Sequence, residues 1–133
     1  MRSINEIIIH CSATPEGKDF TVSDIDRWHR ERGFKMVGYH YVIRLDGTIE
    51  QGRPIEMIGA HCTGHNAHSI GICHIGGLDR SGKPKDTRTQ VQKDVLWSLV
   101  KSLQKRFPGA TVHGHREFAN KACPCFEVKE EFC

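Results

Sequence analysis

Hydrophobic positions follow a strand rhythm in five parts of the chain. Residues 4–10 contain the continuous apolar run Ile7–Ile9, which is typical of a strand buried on both faces. Further strands are expected over residues 39–44, 48–51, 69–75 and 110–115. Asp46-Gly47 joins two of them and is a strong hairpin signal. These segments predict one central sheet.

A first helix is predicted shortly after the opening strand. Thr21 and Asp24 have the spacing of a capping arrangement, with an acid in the first turn. Ile25 and Trp28 then lie three residues apart on one face of the helix, and Gly33 is a suitable stop.

The main helix is predicted later in the chain. Thr87-Arg-Thr-Gln90 reads as its capping box, and Pro108-Gly109 stops it just after Phe107. One buried stripe is expected from the apolar positions Val91, Val95, Leu96, Leu99, Val100 and Leu103. Residues 126–132 suggest a short closing helix.

The order of these elements predicts an α/β fold with a central mixed β-sheet flanked by α-helices. A length of 133 residues suits a single domain over residues 1–133. The composition, 38% hydrophobic and 26% charged, is that of an ordinary globular protein and excludes a disordered chain.

Charge and hydropathy restrict partners and location. The net charge of +3 is too small and too scattered to indicate a nucleic-acid partner. No segment approaches the ~20 apolar residues of a membrane-spanning helix, and no signal peptide precedes the first strand. We therefore expect cytoplasmic synthesis and no membrane insertion. The six cysteines lack the spacing of a structural zinc module, and we expect them to be reduced.

Candidate metal ligands occur at both ends of the chain. His10 ends the first apolar run, and Cys123 lies two residues after Lys121 and directly before a proline. His113 and His115 point to the same face of the last predicted strand, so periodicity does not choose between them. Two imidazoles and one thiolate suit zinc, and three protein ligands leave a fourth position for water.

Such a centre indicates metal-assisted hydrolysis of an amide or ester. Lys121 is a cation tethered beside Cys123 and is suited to stabilising an oxyanion. Tyr39, at the start of the hairpin, is suited to orienting the attacking water. Glu117 is an alternative general base.

The combined motifs resemble the type 2 N-acetylmuramoyl-L-alanine amidases, most closely their short phage endolysins, with peptidoglycan recognition proteins as more distant relatives. The resemblance runs over nearly the whole chain in the family's order. It is carried by His10, Trp28-His29, Val37–Tyr41, Asp46–Thr48, Gly59–His61, Asn66, Ser69–Gly71, and the segment His115 to Pro124.

The resemblance implies a zinc enzyme that cuts the amide between N-acetylmuramic acid and L-alanine in peptidoglycan. It places Zn²⁺ on His10, His115 and Cys123. It also gives Tyr39 and Lys121 catalytic roles.

It further implies that His61 and Asn66 border the substrate groove. The expected protein is a monomer that acts at the bacterial cell wall. Cys11, Cys62 and Cys125 are extra thiols near the expected site and depart from the family pattern.

Three alternatives remain open from the sequence. One is a peptidoglycan-binding module without catalysis, which the presence of Cys123 disfavours. Another is a zinc nuclease, suggested by the histidine-rich segment 61–74. The last is a structural zinc site with His113 or Cys125 as a fourth protein ligand.

Overall fold

The apolar run near the start of the chain forms the centre of the sheet. In the computed structural model, which describes residues 2–132, strand β1 (Glu6–Cys11) pairs in parallel with a neighbour on each side. The remaining strands are β2 (Thr14–Pro15), β3 (Tyr41–Ile43), β4 (Ile49–Gln51), β5 (Ser69–His74), β6 (Gly77–Leu78) and β7 (Thr111–Gly114).

The main sheet has five strands in the order β4-β3-β5-β1-β7. All neighbours are parallel except β4, which returns antiparallel to β3 through the predicted hairpin. The predicted mixed sheet is therefore confirmed.

The helices are α1 (Val22–Glu31), α2 (Gln90–Arg106) and α3 (Val128–Phe132), with two short 3₁₀ turns at Asn66–His68 and His115–Glu117. One sheet face carries Ile7, Ile9 and Ile72, which pack with α2 and α3 in the larger apolar core. The opposite face carries Val42 and Cys73, which pack with Ile25 of α1. Because strand side chains alternate, His10 lies on this second face.

Both long helices begin with a capping box, but the capping box of α2 lies two residues later than predicted. Thr21 and Asp24 cap α1 as predicted. The prediction for α2 is wrong by two residues, because Thr89 accepts from the N–H of Gln92 and donates its own N–H to the Gln92 side chain. Thr87 accepts from the N–H of Gly77 instead, at 2.8 Å.

Other boundaries also differ from the sequence prediction. Val91 is 42% exposed and does not belong to the buried stripe of α2. The last strand ends at Gly114, so His115 is not a strand residue. A second, two-stranded parallel sheet of β2 and β6 was not predicted, because two-residue strands leave no periodic signal. Within residues 2–132, no helix is long and apolar enough to cross a membrane.

Candidate active site

The ends of two adjacent strands bring the first pair of predicted ligands together. Ile9 of β1 is in register with Gly114 of β7, so His10, near the end of β1, lies beside His115, the first residue after β7. Their Nδ1 atoms lie 3.2 Å apart. The site therefore lies at the carboxyl ends of parallel strands, where open α/β sheets usually bind ligands.

Cys123 completes a three-residue group. The ligand atoms of His10, His115 and Cys123 all lie within 4.8 Å of one another. The N–H of Cys11 donates to the Cys123 sulfur at 3.2 Å and so helps to position it. A backbone hydrogen bond from the N–H of Arg116 to the Cys123 carbonyl also holds the segment of Cys123 against that of His115.

A hydrogen-bonded chain orients the ring of His10. The second ring nitrogen of His10, Nε2, lies 2.8 Å from Nδ1 of His61, and Nε2 of His61 lies 3.2 Å from the Ser69 hydroxyl. If Nε2 of His10 donates along this chain, its Nδ1 presents a bare lone pair to the centre of the group. Such outer contacts fix the tautomer of metal-binding histidines.

The electrostatic surroundings keep these imidazoles neutral. Burial lowers the pKa of His10 well below its ordinary value, and the neighbouring His61 and His115 lower it further. Burial also lowers the pKa of His61, to about 3, and that of His115. Neutral imidazoles are the form that binds a metal.

Tyr39 and Lys121 border the same group. Both line two adjoining cavities of about 230 and 250 Å³, which also share His115. The Tyr39 ring centre lies 5.0 Å from that of His10. Burial raises the pKa of the Tyr39 hydroxyl well above its ordinary value, so this group keeps its proton at neutral pH. Lys121 is exposed, and among residues 2–132 its ammonium has no carboxylate partner.

The residues expected to border the groove have structural contacts as well. His61 and Asn66 both line the second cavity. The side-chain oxygen of Asn66 accepts from the N–H groups of His61 and Cys62, each at 2.9 Å. Asn66 therefore shapes the loop that carries His61.

Two further groove residues were not assigned from the sequence. His29 and Arg32 line both cavities. Nδ1 of His29 accepts from the N–H of Gly38 at 2.9 Å and so fixes the segment that leads into Tyr39. Their position on the last turn of a predicted helix was visible in the sequence, but the direction of the groove was not.

The alternative ligands do not join the group in the described part of the chain. His113 lies 2.9 Å from a Glu117 oxygen and is not part of the three-residue group. The Cys125 sulfur lies 3.8 Å from that of Cys11. The five described cysteines are free thiols, and Cys133 lies outside the described residues.

The family model for N-acetylmuramoyl-L-alanine amidases matches residues 1–126 of the chain. The chain belongs to this family. The amidase is 42% identical to the endolysin of Klebsiella phage KP32 over 125 residues, which cover 94% of this chain and 83% of the relative.

Solved structures agree with this assignment. N-acetylmuramoyl-L-alanine amidase LysC from Clostridium intestinale URNW matches with a TM-score of 0.84 and 29% identity, over 98% of this chain and 83% of that one. A mutant of Drosophila PGRP-LB in complex with tracheal cytotoxin matches with a TM-score of 0.80 and 28% identity, over 98% and 80% of the two chains. The predicted fold and the predicted activity, lysis of peptidoglycan by an amidase, are confirmed.

Proposed function

We propose that the amidase hydrolyses the bond between the lactyl group of N-acetylmuramic acid and L-alanine, using zinc held by His10, His115 and Cys123. The observation that carries this proposal is the convergence of two Nδ1 atoms and one sulfur within 4.8 Å, beside the cavities that Tyr39 and Lys121 line. The family supplies the reaction class.

The donor set fits zinc. Two neutral imidazoles and a thiolate are borderline-soft ligands, whereas magnesium and calcium prefer oxygen. The Nδ1 atoms of His10 and His115 face each other at 3.2 Å, and two bare lone pairs at that distance repel unless a cation or a proton lies between them. Two nitrogen ligands with bonds of about 2.0–2.1 Å to a tetrahedral ion lie about 3.3 Å apart, which is close to the 3.2 Å between these two Nδ1 atoms.

Zinc at this position would polarise the scissile carbonyl or its attacking water. The chain's own residues then act around the reacting amide. Tyr39, protonated at neutral pH, orients the water through its hydroxyl. Lys121 places a positive charge at the cavity wall, where it stabilises the oxyanion of the tetrahedral intermediate.

The groove suits an anionic substrate. Arg32 and Lys121 both line the second cavity, together with His61 and Asn66. We assign to these lining residues the contacts with the carboxylates of the stem peptide. We also propose that residues 1–133 act as one domain, as a monomer, at the bacterial cell wall.

The test is chemical identification of the bond cut in purified peptidoglycan. We expect new L-alanine amino termini and no new reducing ends. Reducing ends would instead indicate cleavage between sugars and would contradict the proposal.

A pair of cysteine variants tests the ligand assignment. Cys123→Ser should lose both lysis and tightly bound zinc. Cys125→Ser is the matched control, because its sulfur lies near Cys11 rather than in the ligand group, and it should keep both. Equal loss in the two variants would contradict the three-ligand site.

A further inference from the structure

A second group of metal-binding side chains lies at the opposite end of β1 from His10. It consists of Glu6, the first residue of the strand, and of His65 and His68, which belong to the loop before β5. We propose that Glu6, His65 and His68 form a second zinc site, separate from the candidate active site.

The ligand atoms converge on one carboxylate oxygen. Oε1 of Glu6 lies 2.9 Å from Nδ1 of His65 and 3.1 Å from Nε2 of His68. All three ligand atoms lie within 4.8 Å of one another. Ligand atoms around tetrahedral zinc are about 3.3 Å apart, as follows from bonds of about 2.0–2.1 Å. The two distances that involve Glu6 therefore already lie within a few tenths of an ångström of the spacing that zinc requires.

Contacts outside the group hold each ligand in place. Glu6 is fixed by the register of β1 with both neighbouring strands. The His68 carbonyl accepts from the N–H of Asn5 at 2.9 Å, which places His68 beside Glu6. The His65 ring stacks on Phe118, with ring centres 3.9 Å apart and an angle of 22° between planes. This preorganisation lowers the entropic cost of binding an ion.

The site is partly shielded from solvent and partly open to it. The side chains of Glu6, His65 and His68 are 16%, 27% and 38% exposed. A second oxygen of Glu6 lies 3.9 Å from Nε2 of His113, so this imidazole borders the site on its strand side. Two histidines and one glutamate are a known ligand set for zinc.

The two sites differ in position and in chemistry. Glu6 and His10 are four residues apart on the same face of β1, which separates them by about 13 Å. The candidate active site contains a sulfur donor, whereas the second site contains only nitrogen and oxygen donors. The two sites can therefore be measured independently.

A zinc ion bound at this second site would link the loop before β5 to the central strand β1. That loop also carries His61, which contacts His10. Zinc bound at Glu6 would thus stabilise the wall of the groove. The competing explanation is a set of ion pairs, in which Glu6 accepts N–H groups from both imidazoles and no metal binds. These two explanations predict different zinc stoichiometries.

The experiment is a calorimetric titration with zinc alone. The protein carries no histidine tag and is stripped of metal beforehand. We expect two equivalents in the wild-type protein and one in Glu6→Gln. Cys123→Ala should also bind one equivalent, and the double variant none. Glu127→Gln is the matched control, because its carboxylate is exposed and pairs with Arg116 outside both sites, and it should bind two.

Cobalt in place of zinc identifies which site remains. Glu6→Gln should keep the thiolate-to-cobalt charge-transfer band, and Cys123→Ala should lose it while keeping the visible bands of cobalt. His68→Asn repeats the test if Glu6→Gln fails to fold. One equivalent in the wild-type protein that Glu6→Gln and His68→Asn both retain, or two equivalents in both of these variants, would overturn the proposal.

Discussion

Replacing His61 with phenylalanine tests how the structure orients His10, a proposed metal ligand. Nδ1 of His61 is the partner of Nε2 of His10, at 2.8 Å, and His10 is only 1% exposed. Phenylalanine keeps a flat ring at this position but has no nitrogen that could accept a hydrogen bond. The space around the His61 ring is narrow, because a Cβ added at Gly71 would come within 2.6 Å of the ring.

The expected loss follows from this contact. A buried donor left without a partner costs about 1–3 kcal/mol. Removal of an outer partner of a metal-binding histidine typically weakens metal affinity about 10–100-fold, which is about 1.4–2.8 kcal/mol. The two ranges agree. We therefore expect His61→Phe to bind zinc at the candidate active site about 10–100-fold more weakly.

The assay is competition for zinc with a chromophoric chelator, carried out in the Glu6→Gln background so that only one site is titrated. His61→Asn is the control, because its side-chain oxygen takes the place of Nδ1 and should restore much of the affinity. Unchanged affinity in His61→Phe would refute the reasoning, since His10 would then need no partner.

Three further predictions follow from the site and the core. Lys121→Ala should lower turnover about 10²–10³-fold with zinc retained; an unchanged rate would exclude the oxyanion role. Tyr39→Phe should lower turnover about 10²-fold or more at unchanged zinc content, measured on purified peptidoglycan. Burial lowers the pKa of His40 to about 4, so the folded protein binds fewer protons than the unfolded chain from about pH 6.5 down to 4. The free energy of unfolding should therefore fall as pH falls through that window. Urea titrations at several pH values give the slope of this free energy against pH, which should be smaller in His40→Gln than in the wild-type protein by up to about 1.4 kcal/mol per pH unit. An identical slope in the two proteins would contradict a buried neutral His40.

Local patterns predicted most of the fold. The run Ile7–Ile9 is the central strand, and Asp46-Gly47 marks the turn between β3 and β4. These features depend on neighbouring residues, so the sequence displays them directly. The start of α2 was misplaced because the sequence contains two overlapping capping patterns, one at Thr87 and one at Thr89. In the structure the Thr87 hydroxyl accepts from the N–H of Gly77, and the Thr89 hydroxyl caps the helix.

The site was predictable only in part for a related reason. Periodicity left His113 and His115 equivalent, and the family resemblance selected His115. In the structure the two separate because the strand ends at Gly114, whose N–H donates to Glu117. The contact between His61 and His10 joins residues 51 positions apart and leaves no local signal.

The second cluster escaped prediction in the same way. Glu6 and the histidines of the loop before β5 are 59 or more positions apart, and only the parallel pairing of β1 with β5 brings them together.

The central claim is that His10, His115 and Cys123 hold one zinc ion. Anomalous diffraction at the zinc edge, from crystals of the amidase grown with zinc, tests it most directly. The account predicts a peak about 2.0–2.3 Å from Nδ1 of both histidines and from the Cys123 sulfur. A zinc-loaded crystal with no peak between these three atoms would contradict it.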